Sequence, residues 1–182
     1  MKGLFGLGKG RLRVLKVGEI IQDLQFYPRE KPNWMISFKY AEAMKSGAQF
    51  PPITVAAFDG KYVLVDGWHR MEAKKLLKEE YIEAEILSGL TPSAIYIEAV
   101  RRNTTHGQPL TTTETTRVIM RLKELKLPIE QISSILHIPI EKVEPFVVKR
   151  VVSTATGEEI LKKPIYNLSS KPSSIRNPSD IA

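Results

Sequence analysis

A small α/β domain with a mixed sheet, followed by a helical helix-turn-helix domain, is the fold class predicted by three features of this 182-residue chain. Two β-rich runs, Ile53–Phe58 and Lys61–Val65, flank Asp59-Gly60, a strong hairpin signal because both turn positions accept positive φ. Strand and helix patterns then alternate up to about Asn103. Finally, Pro128–Arg150 places Ile129, Ile132, Ile135, Leu136, Ile138, Val143 and Phe146 as two short amphipathic helices would.

Val14–Ile21 reads as a short strand running into a turn. Phe26–Arg29 is extended, since Pro28 disfavours helix at Tyr27. Ile36–Lys45 is helical and ends at Ser46-Gly47. After the hairpin and Asp66–Arg70 comes a helix from about Met71 to Leu77, then a strand over Tyr81–Leu87. Thr91 caps a helix with Pro92 in its first position, running to about Asn103, and Thr104–Leu110 is a loop. Thr111 and Glu114 form a capping-box pattern ahead of Val118, Ile119, Leu122 and Leu125. In Pro128–Arg150, Ser133 supplies the small residue at the close approach and His137 the tight turn. The second helix runs from about Ile140 to Lys149 with Pro145 inside it. Val151–Leu161 holds two β-capable runs about Thr156-Gly157, a candidate wing. Domains follow: a flexible basic arm over 1–10, the α/β domain over 11–107, the helix-turn-helix over 108–150, the wing over 151–168 and a disordered Ser/Pro/Asn-rich tail over 169–182.

The chain carries +7 formal charge at pH 7, which favours anionic partners such as nucleic acid. The excess is spread along the chain, and only the arm is one-sided, with Lys2, Lys9, Arg11, Arg13 and Lys16 before any acid. There is no cysteine, so disulfides, thiolate metal sites and cysteine catalysis are excluded and a reducing cytoplasm fits. No apolar run reaches the roughly 18 residues of a membrane span, so a soluble cytoplasmic protein is expected. His69, His106 and His137 lack metal-ligand spacing, and no metal site is predicted.

Chemistry concentrates at Asp66-Gly67-Trp68-His69-Arg70, between a strand and a helix. A helix start offers unpaired N–H groups and the positive end of its dipole. Gly67 allows close approach of a ligand, and His69 and Arg70 can close on an anion such as a nucleotide phosphate. A tight turn with a surface arginine uses the same residues. On the second helix of the helix-turn-helix, Lys142, Lys149 and Arg150 are candidate phosphate contacts on DNA, assisted by Arg11 and Arg13. A helical packing or dimerisation module would show the same core pattern.

From about Val14 to Arg150 the chain resembles the ParB/sulfiredoxin-fold family, in its ParB-like partition or transcription-regulator branch. Pro28-Arg29 is similar to the end of that family's first phosphate-contacting motif, Gly67 and Arg70 to the ends of its Gly-Glu-Arg-Arg motif, and Asn103 to the asparagine of its Glu-Asn-x-x-Arg motif. Asn103-x-x-His106-Gly-x-Pro-Leu110 is similar to the run preceding the helix-turn-helix in ParB-like regulators and plasmid proteins. The resemblance implies a homodimer that binds DNA and a nucleotide, CTP, with Mg2+ as an optional companion. Arg29, Gly67, His69, Arg70 and Asn103 would hold the phosphates, with Asp66, Trp68 and His106 in the same site. Arg70→Ala would then abolish nucleotide binding and leave the fold intact.

Arg102 stands where family CTPases carry the acid tied to magnesium and hydrolysis, so binding is implied and hydrolysis left open. Trp68 occupies the position of the sulfiredoxin cysteine, which excludes thiol-dependent sulfinic acid reduction. A serine-kinase branch with an Asp-Gly-x-x-Arg turn matches Asp66–Arg70 and remains an alternative, as does an interaction module with a vestigial pocket.

Overall fold

The computed structural model describes residues 10–105, 109–147, 151–153 and 159–161. Readings that fall on His106, Lys149, Arg150, the arm before Gly10, the Thr156-Gly157 turn and the tail lie outside the described residues.

The predicted mixed sheet has five strands in the order β1-β5-β3-β4-β2. They are β1 (Arg11–Lys16), β2 (Ile20–Ile21), β3 (Ile53–Phe58), β4 (Lys61–Asp66) and β5 (Tyr81–Ser88). β1 pairs antiparallel with β5, β5 parallel with β3, β3 antiparallel with β4, and β4 parallel with β2. The β3–β4 hairpin turns through Asp59 (φ 50°) and Gly60 (φ 70°), the two positive-φ positions that the Asp-Gly pair predicts. β1 begins three residues before the sequence reading places it, so Arg11 and Arg13 belong to an exposed sheet edge.

Strand alternation gives the sheet two apolar faces. Ile53, Val55, Leu64, Ile82 and Ala84 form one with Met71 of α2 (Trp68–Leu76), against which α1 (Trp34–Lys45) packs. Ala56, Val63 and Val65 form the other, covered by Ile95, Ala99 and Val100 of α3 (Pro92–Thr105). This second cluster continues through Val118, Ile119 and Leu122 of α4 (Thr112–Glu124), Ile132 and Ile135 of α5 (Ile129–Leu136) and Val143 of α6 (Ile140–Val147). One apolar core therefore joins the sheet to the helical segment. Burying each large side chain in it contributes roughly 1.5–3 kcal/mol.

Helix boundaries differ from the sequence reading in several places, and α1 starts at Trp34, capped by Asn33, in place of Ile36. α2 starts at Trp68, because the Gly67 carbonyl already accepts the Met71 N–H at 2.9 Å. α3 continues to Thr105, where threonine hydroxyls bond back to Arg101 O at 2.8–2.9 Å. Thr104 Oγ1 also lies 2.8 Å from Ile135 O, tying that last turn to α5. β6 (Val151–Ser153) and β7 (Glu159–Leu161) pair antiparallel where a wing was expected.

Candidate functional site

Gly67 sets the geometry between β4 and α2. It sits at φ 102°, ψ 27°, and a Cβ there would lie 2.6 Å from Ile53 Cγ2 and 3.1 Å from Arg70 Nη2. Only glycine fits both the dihedral and the space. The first-turn amides of α2 begin from this residue, with the positive end of the helix dipole.

The three residues that follow face different partners. Trp68 packs on Tyr27, with ring centroids 4.7 Å apart and planes at 40°. His69 Nε2 accepts the backbone N–H of Asn33 at 3.2 Å, which fixes that nitrogen as an acceptor. Burial first, then the charge of Arg29, lowers its pKa below 6.5, against the opposing pull of Asp66 and Glu72. His69 is thus a neutral acceptor that latches α2 to the start of α1. Arg70 is equally committed: Nη1 donates to the carbonyls of Pro51 and Pro52, both at 2.7 Å, and Nη2 to Asp66 Oδ2 at 2.8 Å. Its fork braces the Pro51-Pro52 entry to β3, so removal of Arg70 perturbs the framework as well as any ligand contact.

These residues border a cavity of about 460 Å3, within the range of small-molecule sites. Arg29, Asp66, Gly67, Trp68, His69, Arg70 and Asn103 all line it. Residues that the sequence reading assigned no role in this site line it too, among them Tyr27, Lys31, Asn33, Tyr40 and Glu114. The Asn103 amide donates to Ala99 O at 2.9 Å, one turn back on α3.

Glu114 joins the two halves of the wall. Its carboxylate accepts the Thr111 N–H at 2.9 Å, completing the predicted capping box, and the Glu30 N–H at 3.0 Å. Burial opposes its charge, but the amides of Thr111 and Glu30 and the positive charge of Arg29 outweigh that and hold its pKa below 4.5. Only its capping role was legible in sequence; the second acceptor role depends on a segment 84 residues away.

Arg102 does not line the cavity. It bonds Glu98 at 2.7 Å, Glu85 at 3.0 Å and Thr54 Oγ1 at 2.9 Å. Burial works against the Glu98 charge, and the bonds from Arg101 and Arg102 more than offset it, lowering its pKa. Arg102 is a brace between α3 and the sheet. Among the described residues, no cluster of three or more His, Cys, Asp or Glu could hold a metal ion.

In the helical segment, His137 adopts φ 54°, ψ 40° between α5 and α6, and Ser133 Oγ donates to Ile138 O at 2.6 Å. This is the small-residue approach and left-handed turn read from sequence. Lys142 is exposed on α6, with Glu141, Glu144 and Pro145 beside it. Among the described residues, no helix is long and apolar enough to cross a membrane.

No family model matches the chain, and no curated protein matches it by sequence. Solved structures do match it. The C-terminally truncated chromosome-partitioning protein ParB from Caulobacter crescentus, complexed to the centromeric parS site, gives a TM-score of 0.55 at 15% identity, covering 74% of this chain and 70% of that one. The pNOB8-like ParB N-domain gives 0.56 at 15% identity, covering 88% of this chain and 56% of that one. The Caulobacter protein complexed with CTP-gamma-S gives 0.48 at 15% identity, covering 76% and 77%. The chain shares the fold of these ParB structures.

Proposed function

We propose that this chain is a ParB-like DNA-binding protein whose cavity takes a nucleotide, CTP by its motif resemblance, and whose helix-turn-helix contacts DNA in a homodimer serving partition or transcription control. One observation carries the reading. Gly67 and the first turn of α2, Arg29 and Lys31, Asn103 of α3, and Thr111 and Glu114 at the start of α4 line the same cavity. A ligand held there would touch both the sheet and the start of α4. Its phosphates would sit toward the Arg29 and Lys31 side chains and the first-turn amides of α2, groups that donate to anions. Mg2+ would travel on those phosphates. Arg102 favours binding without turnover, because its guanidinium is held by Glu98, Glu85 and Thr54 at the position of the family acid.

Titration calorimetry with CTP, ATP, GTP and UTP, with and without Mg2+, tests this. Selective CTP binding that weakens at least tenfold in Lys31→Ala is the expected result. Absence of binding by the folded protein would sink the nucleotide assignment and leave the helix-turn-helix as the functional unit. Binding of ATP with phosphate transfer to free serine would instead establish the kinase alternative.

A further inference from the structure

β1 is the outermost strand of its sheet, and its outer side pairs with no strand among the described residues. Such an edge presents a row of backbone N–H and C=O groups, a template for one further strand. Five of the six residues of β1 are exposed, and only Leu15 turns into the core. Leu12 lies opposite Glu85, which Arg102 of α3 holds, and Val14 lies opposite Glu83. No described element covers the two apolar side chains there: they are 67% and 62% exposed. Arg11 and Arg13 project from the other face, opposite Ile86 and Ala84. Neither arginine makes an ion pair among the described residues. β1 contains no acid.

Charges along an edge ordinarily keep sheets apart, and here they do so selectively. Antiparallel pairing with a second β1 would set the arginines of both copies on one face. The ends of this chain match no better. Residues 1–9 carry Lys2 and Lys9 without an acid, and residues 162–182 carry Lys162, Lys163, Lys171 and Arg176 against Asp180. We infer that the β1 edge docks an extended acidic segment of another protein as an added strand. Strand alternation fixes the composition of that segment. Apolar side chains would lie beside Leu12 and Val14, and Asp or Glu in the intervening positions would lie beside Arg11 and Arg13. β1 stands outside the cavity wall, so docking there does not depend on a nucleotide.

Fluorescence anisotropy of a short labelled peptide with alternating glutamate and valine tests the docking, with hydrogen exchange of β1 as a second readout. Saturable binding is expected, with slowed exchange at the β1 amides that point away from β5. Arg11→Glu with Arg13→Glu, both at exposed positions and so compatible with folding, should weaken binding at least tenfold. The same peptide with lysine in place of glutamate should not bind. The inference is overturned by no binding to the folded wild type, by binding without added protection of β1, by an affinity unchanged on charge reversal, or by binding of the lysine peptide. Displacement of the peptide by a random DNA duplex would overturn it too, giving the arginines to phosphate. A dimer that Leu12→Lys dissociates would likewise overturn it, giving the edge to a second copy.

Discussion

Glu114 accepts the backbone N–H of Glu30 at 3.0 Å while its other oxygen accepts the N–H of Thr111 at 2.9 Å, so one buried carboxylate pins the Pro28–Glu30 segment to the start of α4. Glu114→Ala would leave the Glu30 amide without its acceptor and remove half of the capping box. A loss of about 1–3 kcal/mol is expected, read as a lower midpoint in urea. The folded-state pKa lies below 4.5, so this stabilisation is present above pH 4.5 and is lost as pH falls through the folded value. Glu114→Gln should flatten the acid limb of the stability–pH curve. An unaltered limb would assign that dependence to other carboxylates.

Arg70 gives a prediction opposite to the one its motif position suggests. Three of an arginine's five donors are committed to Pro51 O, Pro52 O and Asp66, and its side chain is only 14% exposed. Arg70→Ala should therefore destabilise the protein by roughly 1–3 kcal/mol, since it leaves the part-buried Pro52 carbonyl and the Asp66 carboxylate without their donor. Differential scanning calorimetry of the free protein decides the matter. A melting temperature equal to the wild type would mean that the arginine serves a ligand alone. Lys31→Ala, outside this brace, is the cleaner probe of anion binding.

His69 supplies a pH dependence near neutrality. Its folded pKa is lowered from 6.5, chiefly by burial, and protonation would remove the lone pair that accepts the Asn33 N–H. The unfolded state thus binds the proton more readily. The contribution to stability is complete above pH 6.5 and declines as pH falls from 6.5 through the lowered folded value. Hydrogen exchange at the Asn33 amide should lose protection over that interval. His69→Gln, whose side-chain oxygen can accept without titrating, should keep protection nearly constant there; the same loss in both proteins would exclude the imidazole.

Elements built on local chemistry were legible in the sequence. Asp59-Gly60 specified the hairpin, Thr111 with Glu114 the cap of α4, and Ser133 with His137 the turn between α5 and α6. Gly67 was legible as a turn glycine open to a ligand; its positive φ and its packing against Ile53 were not, because Ile53 belongs to the neighbouring strand. The partners of His69 and Arg70 were not, because both lie in loops far along the chain, Asn33 before α1 and Pro51-Pro52 before β3. Residue type suggested two side chains that can close on an anion; the tertiary contacts add an acceptor role for His69 and a bracing role for Arg70. Tyr27 was not legible as a wall residue for a related reason: Trp68 and Asp66 come together with it only in the fold.

DNA binding should be governed by phosphates more than by base edges. The exposed surface of α6 offers Lys142 beside two acids, Glu141 and Glu144, and Pro145 interrupts the row of backbone donors. Acidic neighbours disfavour close approach to the duplex, so Lys142, with Lys149 and Arg150 after it in sequence, is suited to flanking phosphates. Replacing all three by alanine should weaken binding similarly on different DNA sequences. It should also reduce the slope of log affinity against log salt by about 0.9 for each phosphate that is no longer neutralised. Fluorescence anisotropy across a salt series measures both. Arg11 and Arg13, exposed on the β1 edge, provide the control. A slope unchanged by the first substitutions but lowered by Arg11→Ala with Arg13→Ala would place the DNA on the sheet edge, and α5–α6 would then act as a packing module.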